Sequence, residues 1–514
     1  MSIDTKTLDN NDRDNILFQK TQNQFLEQYE RIFPDPLAPK TVVIVPSLTM
    51  DQEILAKIKG ISYYEERLLC LLMLLRMPRT KIIYVTSLPI DPIIIDYYLH
   101  LLPGITNYHA SERLTLLSCF DSSPRSLTEK ILERPRLIEK IKKSIPKDNF
   151  THLSFFNTTA LEKTLALRLE LPFYGCDPDL CHLGNKSNGR KLFRDCGLLL
   201  PPGYEDLQSI SAMTQALFSL KLQYPELKKA VVKLNEGFSG DGNAIFNYDD
   251  LSLNFNLTEK IQEQLINRLS FVASDLNVRQ FFDKWEAMGG VVEVFIEGTE
   301  KQSPSVQCRV NPSGNNEVIS THDQVLGGED GQVFLGAHFP AHQDYAVEIG
   351  HLGKTLSNQL QKKGIIGRFG VDFLSVKENN LWKHYAIEIN LRKGGTTHPF
   401  LMLQFLTNGK YDYEQGEYNT PNQQKRYYFC SDNLQNEAFK GLTPPDLVDI
   451  AICNNLFFDA STEQGVTFHL MGALSQYGKL GLVCIAKSPE EAQNYYQKTL
   501  EVLKVEGGKS VSSL

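Results

Sequence analysis

The segment Tyr385-Ala-Ile-Glu-Ile-Asn-Leu-Arg-Lys-Gly-Gly-Thr-Thr397 carries the densest chemistry in the chain. Glu388, Asn390 and Arg392 stand at every second position of an apolar run. A β-strand sends alternate side chains to one face. A carboxylate, a carboxamide oxygen and a fixed cation therefore point one way from one rigid element. Oxygen donors suit a hard cation such as Mg²⁺, and a guanidinium suits a phosphate beside it. Buried charge at this density is costly unless it is paired or bound to a metal. The pattern predicts a Mg–nucleotide site.

Three further segments add to it. Ala230-Val-Val-Lys-Leu-Asn-Glu-Gly-Phe-Ser-Gly-Asp-Gly-Asn243 reads as a strand that delivers Lys233 and opens into a loop with Gly237, Ser239, Gly240 and Gly242. Glycines let backbone N–H groups approach phosphate oxygens, and the lysine adds a point charge. The loop is not a Walker A sequence, because the lysine precedes the glycines; a glycine-rich hairpin turn is the plainer reading of this segment alone. Gly290-Val-Val-Glu-Val-Phe-Ile-Glu-Gly-Thr-Glu300 reads as a strand carrying Glu293, with Glu297 and Glu300 beyond it. Its edge could present backbone groups to an adenine and a carboxylate to ribose hydroxyls, or simply be a solvated face. Ile366-Gly-Arg-Phe-Gly-Val-Asp-Phe-Leu374 places Asp372 in an apolar strand, and Lys377-Glu-Asn-Asn380 reads as a hairpin turn. Asp372 and Glu388 should then meet on adjacent antiparallel strands. Two carboxylates that close repel unless a cation lies between them.

These residues need elements to position them. Strands are expected at 41–45, 81–86, 114–118 and 152–156, separated by helices at 54–75, 93–102 and 126–143, with an amphipathic helix over 14–32 ahead of them. Strands alternating with helices predict a parallel sheet covered on its faces. The turn after Val45 lacks a glycine fingerprint, so this unit reads as one wall of a cleft, not a dinucleotide site. Residues 409–440 read as an exposed polar connector. Strands at 465–470 and 480–485 precede a helix opened by Ser488 and Pro489. Residues 1–13 and 507–514 read as loose ends.

Length and composition set the outer bounds. The chain has 514 residues, 42% hydrophobic and 22% charged, with a net charge of −8. That is a globular protein of about three domains. The acidic balance argues against a nucleic-acid partner. No apolar run reaches the length of a membrane span, and the polar N-terminus shows no signal-peptide core. Nine cysteines, none in a CxxC pair, read as reduced thiols of a cytoplasmic protein.

The order of the segments resembles the ATP-grasp superfamily: Lys186, then Lys233 with its glycine loop, then the Glu293–Glu300 strand, then Asp372, then Glu388-x-Asn390-x-Arg392. The resemblance covers roughly residues 182–410, and Asn185-Lys-Ser…Gly197-Leu-Leu-Leu-Pro-Pro202 looks like its opening element. It implies mixed α/β and α+β architecture: a pre-ATP-grasp α/β domain at 1–181, a two-subdomain ATP-grasp fold at 182–410, and a connector with a small α/β domain at 411–514. Tyr63-Tyr-Glu-Glu-Arg67, Ser122-Ser-Pro-Arg-Ser126, Ser320-Thr-His-Asp-Gln-Val-Leu-Gly-Gly328 and Gly465-Val-Thr-Phe-His-Leu470 look like the pheganomycin-type peptide ligases and their relatives.

The resemblance implies ATP and Mg²⁺ as cofactors. Lys186 and Lys233 would contact ATP phosphates and part of the adenine, and residues 237–243 would cover the phosphates. Glu293, Phe295 and Ile296 would line the adenine, with Glu300 on the ribose. Asp372, Glu388 and Asn390 would hold Mg²⁺, and Arg392 would stabilise an acyl phosphate, with Lys233 beside it as a catalytic cation. The family's usual arginine two residues before the aspartate is replaced by Gly370, leaving Arg368 or Arg392 to serve, of which Arg392 is preferred. Arg309, His322, Arg368, Lys393, Gly394, Thr396, Thr397 and His398 are the candidate contacts to small-molecule or peptide carboxylate and amine substrates. The reaction implied is carboxylate activation followed by amide formation. A ligase using a thiol or hydroxyl nucleophile, a non-catalytic ATP sensor and an interaction scaffold are the alternatives, and a homodimer is an open arrangement.

Overall fold

The computed structural model describes residues 10–237, 242–251, 256–271, 278–327 and 333–512. The first sheet is parallel, in the order Leu114–Ser118, Thr80–Thr86, Lys40–Val45, Phe150–Phe155. All six residues of Lys40–Val45 are buried, as expected of a central strand with helices on both faces. Helix Asn10–Ile32 begins earlier than expected and docks through Gln22, whose amide brackets the backbone of Phe173 with bonds of 3.1 and 2.9 Å.

Two expected helices differ. Residues 54–75 form a short α-helix, Gln52–Lys57, and then a 3-10 helix, Ile61–Arg76. The second is buried along most of its length, from Glu65 to Leu75, so tertiary packing overrides the usual limit on 3-10 runs. Residues 126–143 split into Leu127–Leu132 and Pro135–Ser144. Pro135 forces Arg134 out of helical geometry, to φ −119 and ψ 78.

The second sheet is antiparallel, ordered Gly203–Leu207, Gly290–Val294, Lys229–Leu234, Asn243–Asn247, Leu269–Phe271. It has its own core around Phe246, Phe281 and Trp285. The third sheet has nine strands and joins Lys301–Gln302, Gly367–Glu378, Pro304–Val310, Asn316–Gly327 and Val333–Phe339 to Tyr427–Gln435, Lys479–Ala486 and Gly465–His469. Leu381–Asn390 pairs with Gly367–Glu378. The sheet thus runs without interruption from the middle of the chain into its C-terminal part.

That continuity changes the reading of 409–440. Tyr411, Tyr418 and Tyr428 are buried, and their hydroxyls bond Thr321, Thr407 and His322 at 2.6, 2.8 and 2.6 Å. The aromatic-rich segment packs on the large sheet and is no exposed connector. A buried tyrosine hydroxyl usually needs a hydrogen-bond partner, and each of these three has one. The final helix, Pro489–Ser512, is opened by Ser488, whose Oγ accepts from Glu491 N at 3.2 Å, and it continues through residues expected to be loose. Residues 1–9 and 513–514, also expected to be loose, lie outside the described residues.

Candidate functional site

The strands Gly367–Glu378 and Leu381–Asn390 form a hairpin whose turn holds Asn379 at φ 51 and Asn380 at φ 63. Two left-handed asparagines make the type I′ turn that suits a twisted hairpin. Counted from that turn, Asp372 would face Ile387. Instead the register shifts between Asp372 and Phe373, so that Asp372 pairs with Glu388 and Gly370 with Asn390. The bulge puts both carboxylates on one face; without it the pleat would send them apart.

Asp372 accepts hydrogen bonds from Gln324 Nε2 and Asn390 Nδ2, each at 2.9 Å. Lys186 Nζ lies 2.6 Å from Glu388 Oε1. Burial would raise the Glu388 carboxyl, but Lys186, Arg392 and Lys233 together hold it below the ordinary range. Asp372 moves the other way, to about 7, first through burial and then through the charge of Glu388. A divalent cation between the two would relieve that repulsion. Among the described residues no cluster of three His, Cys, Asp or Glu could hold a metal; the candidate oxygen donors at this face are the two carboxylates and the Asn390 carboxamide. Oxygen-only donors fit Mg²⁺ better than zinc.

Lys186 opens helix Lys186–Asp195, capped by Asn185, whose side chain accepts from Asn188 N at 2.8 Å. Asn235, at the end of the Lys229–Leu234 strand, anchors this helix: its Oδ1 accepts from Ser187 N at 3.0 Å and its carbonyl from Lys186 N at 3.1 Å. Arg190, one turn after Lys186 and on the same helix face, forms an ion pair with Glu293. Lys233 Nζ lies 2.6 Å from the other oxygen of Glu293. Burial would raise Glu293, yet Lys233 and then Arg190 hold it down. The Glu293 side chain thus orients two cations, and its backbone pairs with Val231 and Gly203 inside the sheet. Phe295 and Ile296 follow at the strand end; Phe295 N bonds Lys229 O at 3.2 Å and Ile296 O accepts from Lys301 Nζ at 3.1 Å.

The remaining candidates divide. Glu300 is exposed and faces Lys377 at 3.4 Å. Lys301–Gln302 pairs with Val376 and Ser375, so the residues after Glu300 belong to the sheet. Gly237 is exposed at the end of the lysine strand, while Gly242, at φ 87, accepts from Leu234 N at 3.0 Å and closes the loop's other end. Ser239 and Gly240 lie outside the described residues.

Arg392 follows its strand directly and shares the field of Glu388 and Asp372. Lys393 is half-buried; desolvation and then the charge of Arg368 push it down to about 7, and its Nζ donates to the Phe155 carbonyl. Arg368, also half-buried, is pushed down to about 10 by desolvation and then by Arg309. Arg309 pairs with Glu317 at the far end of the same strands. Gly394 N bonds Thr397 Oγ1 at 3.0 Å, and Thr396 and Thr397 are buried at the start of helix Thr397–Thr407. His322 is not brought to this cluster: it is fully buried and bonded to Tyr428, and burial pushes it to about 3. His398 is also a packed residue, with Nδ1 on the Arg67 carbonyl at 2.9 Å and its ring stacked on His469 at 4.2 Å.

Sequence reasoning missed Arg190, Asn235 and Gln324. Only Arg190 left a signal, its one-turn spacing from Lys186.

Comparison with known proteins adds the following. Residues 178–270 and 260–414 match the family described as "IQCH-like, ATP-grasp". Residues 446–499 match the PGM1 C-terminal domain. The chain is 27% identical over 464 residues to an L-propargylglycine–L-glutamate ligase of Streptantibioticus cattleyicolor, covering 88% of this chain and 92% of that protein. It is 22% identical over 517 residues to the IQ motif-containing protein H of Danio rerio, covering 91% of this chain and 48% of that protein. Among solved structures, a biotin carboxylase–β-γ-ATP complex from Campylobacter jejuni superposes with a TM-score of 0.53 at 13% identity, over 90% of this chain and 91% of the other. The biotin carboxylase domain of the Hydrogenobacter thermophilus 2-oxoglutarate carboxylase, in complex with MgADP, gives the same score and identity over 90% and 89%. At that identity the two structures speak for the fold alone.

Proposed function

We propose that this chain, which is similar to an ATP-grasp family over residues 178–414 and to an amino-acid ligase over most of its length, activates a carboxylate with Mg–ATP as an acyl phosphate and joins it to an amine, with amino acids or peptides as substrates. One observation carries this reading: Asp372 and Glu388 share a face, with Lys186, Lys233 and Arg392 all within reach of the Glu388 charge. Two carboxylates ringed by three cations match the needs of phosphoryl transfer, which is chiefly positioning and neutralisation of charge.

Asp372, Glu388 and Asn390 would hold Mg²⁺, which when bound draws the phosphate oxygens together and neutralises their charge. Lys186, whose Nζ lies on Glu388 Oε1, would supply positive charge to a phosphate at this face. Lys233 is held by Glu293 at the mouth of the glycine loop, where it supplies a fixed positive charge. Arg392 stands next to the carboxylate pair and offers a planar fork to an acyl phosphate. The backbone of Gly394–Thr397, with its buried threonines, lies beside it as the place for the substrate carboxylate. The relative of Streptantibioticus cattleyicolor is named for joining two amino acids, which supports amino-acid substrates here.

The test is ADP release from ATP with Mg²⁺ and pools of amino acids and dipeptides, followed by mass spectrometry of the condensed product. The proposal expects one pool to raise ADP release well above background and an amide to form. ADP release with an ester or thioester product would shift the nucleophile to a hydroxyl or thiol. If no pool raises ADP while ATP still raises the melting temperature, the chain is a nucleotide-binding protein without ligase turnover.

A further inference from the structure

An ion pair outside the carboxylate and lysine cluster joins the helix Ile61–Arg76 to the strand Tyr427–Gln435. Arg67, on the buried 3-10 helix, donates through Nη2 to Asp432 Oδ2 at 2.7 Å, although the residues are 365 positions apart. Their side chains are 12% and 9% exposed, so both charges are largely removed from water. The pair is monodentate where an arginine fork could bond twice. Arg67 Nε is buried and has no hydrogen-bond partner among the described residues. An unsatisfied buried donor costs free energy and calls for an explanation.

The location supplies one. Asp432 Oδ2 would stand 3.4 Å from a Cβ built on Gly395, so the carboxylate borders the Gly394–Thr397 turn. Arg67 lies close enough to Arg392 for their charges to interact. Its guanidinium is fixed in orientation by the Tyr64 ring, 3.9 Å from the ring centre, and Tyr64 is in turn held by Lys479 Nζ at 2.5 Å. Its backbone carbonyl is held by His398. The Arg67–Asp432 pair therefore borders the Gly394–Thr397 turn, within electrostatic reach of Arg392, the residue proposed to stabilise the acyl phosphate.

We infer that Arg67 and Asp432 form the head-group site for the acid substrate, and that this substrate is an α-amino acid or a peptide whose terminal amine is free. The ammonium would bond Asp432, and the carboxylate would lie between Arg67 and Arg392, where it is activated. The single Nη2–Oδ2 bond leaves Arg67 Nε available to a carboxylate and the other Asp432 oxygen available to an ammonium group. The inference rests on the ligase reading above and names one of its two substrates.

The test separates the two claims. Binding is measured by calorimetry with Mg²⁺ and a non-hydrolysable ATP analogue, so no turnover is needed. The twenty proteinogenic L-amino acids and a set of dipeptides are screened, and the best ligand is compared with its des-amino acid. The wild-type protein should prefer the amino acid by about 10- to 100-fold, the range expected for one charged hydrogen-bonded contact. Asp432→Asn should remove that preference while leaving the des-amino acid bound as in the wild type, within about twofold. Arg67→Lys should weaken both ligands together, because it acts on the carboxylate. Both variants should still bind the ATP analogue alone as the wild type does. Absence of binding by every amino acid and dipeptide overturns the inference, as does an Asp432→Asn loss that is equal for both ligands, the mark of a merely structural strut. The pattern expected here without any ADP release would sink the ligase reading and leave the head-group site standing.

Discussion

Two pairs of neighbouring carboxyl groups among the described residues, Glu65 with Glu66 in the interior and Asp372 with Glu388 half-buried, are treated in opposite ways. Glu65 and Glu66 lie on the 3-10 helix of the N-terminal part. Glu65 accepts from Ser87 N and Oγ at 2.6 and 2.5 Å, and Glu66 from Gly472 N at 3.1 Å. These donors are mostly neutral, so burial wins and both groups rise, to about 7 and about 8. At Asp372 and Glu388 the neighbours are cations. One member falls below its usual range while the other rises to about 7. The first pair is complete within the fold and ties it together, because Glu66 bridges the N-terminal part to Gly472. The second keeps one charge and one suppressed charge beside Lys186, Arg392 and Lys233, the arrangement on which the proposed Mg²⁺ site rests. Burial alone does not distinguish structure from function; the character of the partners does.

The largest test of that contrast is Glu388→Gln. It should reduce ligand-dependent ADP release by at least about 100-fold, the scale of losing one electrostatic group at a reacting centre. Its melting temperature should stay near that of the wild type, because the substitution also removes repulsion with Asp372. Unchanged turnover would take Glu388 out of the site. Next comes Glu66→Ala, which leaves the Gly472 N–H without its acceptor. A loss of about 1–3 kcal/mol in denaturant unfolding is expected, with nucleotide binding unaltered. A change in nucleotide affinity with no change in stability would reverse the assignment of the two pairs.

The pH dependence should distinguish them further. Carboxyls raised in the folded state hold protons that the unfolded chain has already released above about pH 4 to 5. Stability of the ligand-free protein should therefore fall as pH climbs from there to about 8. Asp372→Asn should flatten the part of this fall near pH 7. Mg–ATP should do the same for the wild type, while leaving the Glu65 and Glu66 contribution in place; melting curves across pH with and without Mg–ATP read this directly. The smallest effect is expected for Glu66→Gln at pH 7. The native carboxyl is already mostly neutral there, so the cost should stay below about 1 kcal/mol and grow less as pH falls. A loss as large as that of the alanine variant would mean that Glu66 is charged in the fold.

Much of the central hairpin was legible in the chain itself. Alternation placed Glu388 and Asn390 on one face, and Asn379-Asn380 marked the turn, because strand pleat and turn geometry are set by neighbours in sequence; Arg392, expected on the same strand, lies beyond its end at Asn390, where its N–H bonds the Asn390 carbonyl at 2.8 Å. The match of Asp372 to Glu388 was expected from spacing, yet its cause was not visible: it depends on a register shift that sequence spacing did not show. The tyrosines of 409–440 misled for the same kind of reason. Their amphipathic rings fit a wet surface or a buried one, and only the sheet they cover decides which. His322 and His398 were selected for their chemistry, and packing assigned both to the interior.

The sequence by itself determined which side chains the central strands present and in what order the nucleotide-binding segments follow one another. The tertiary structure decided who meets whom over long separations. Lys186 reaches Glu388 across 202 residues, Glu293 is taken by Lys233 and Arg190, and Arg67 finds Asp432 across 365. Local periodicity is written by backbone geometry, which every residue shares. Long-range ion pairs are written by the packing of whole layers, and no window along the chain contains that information.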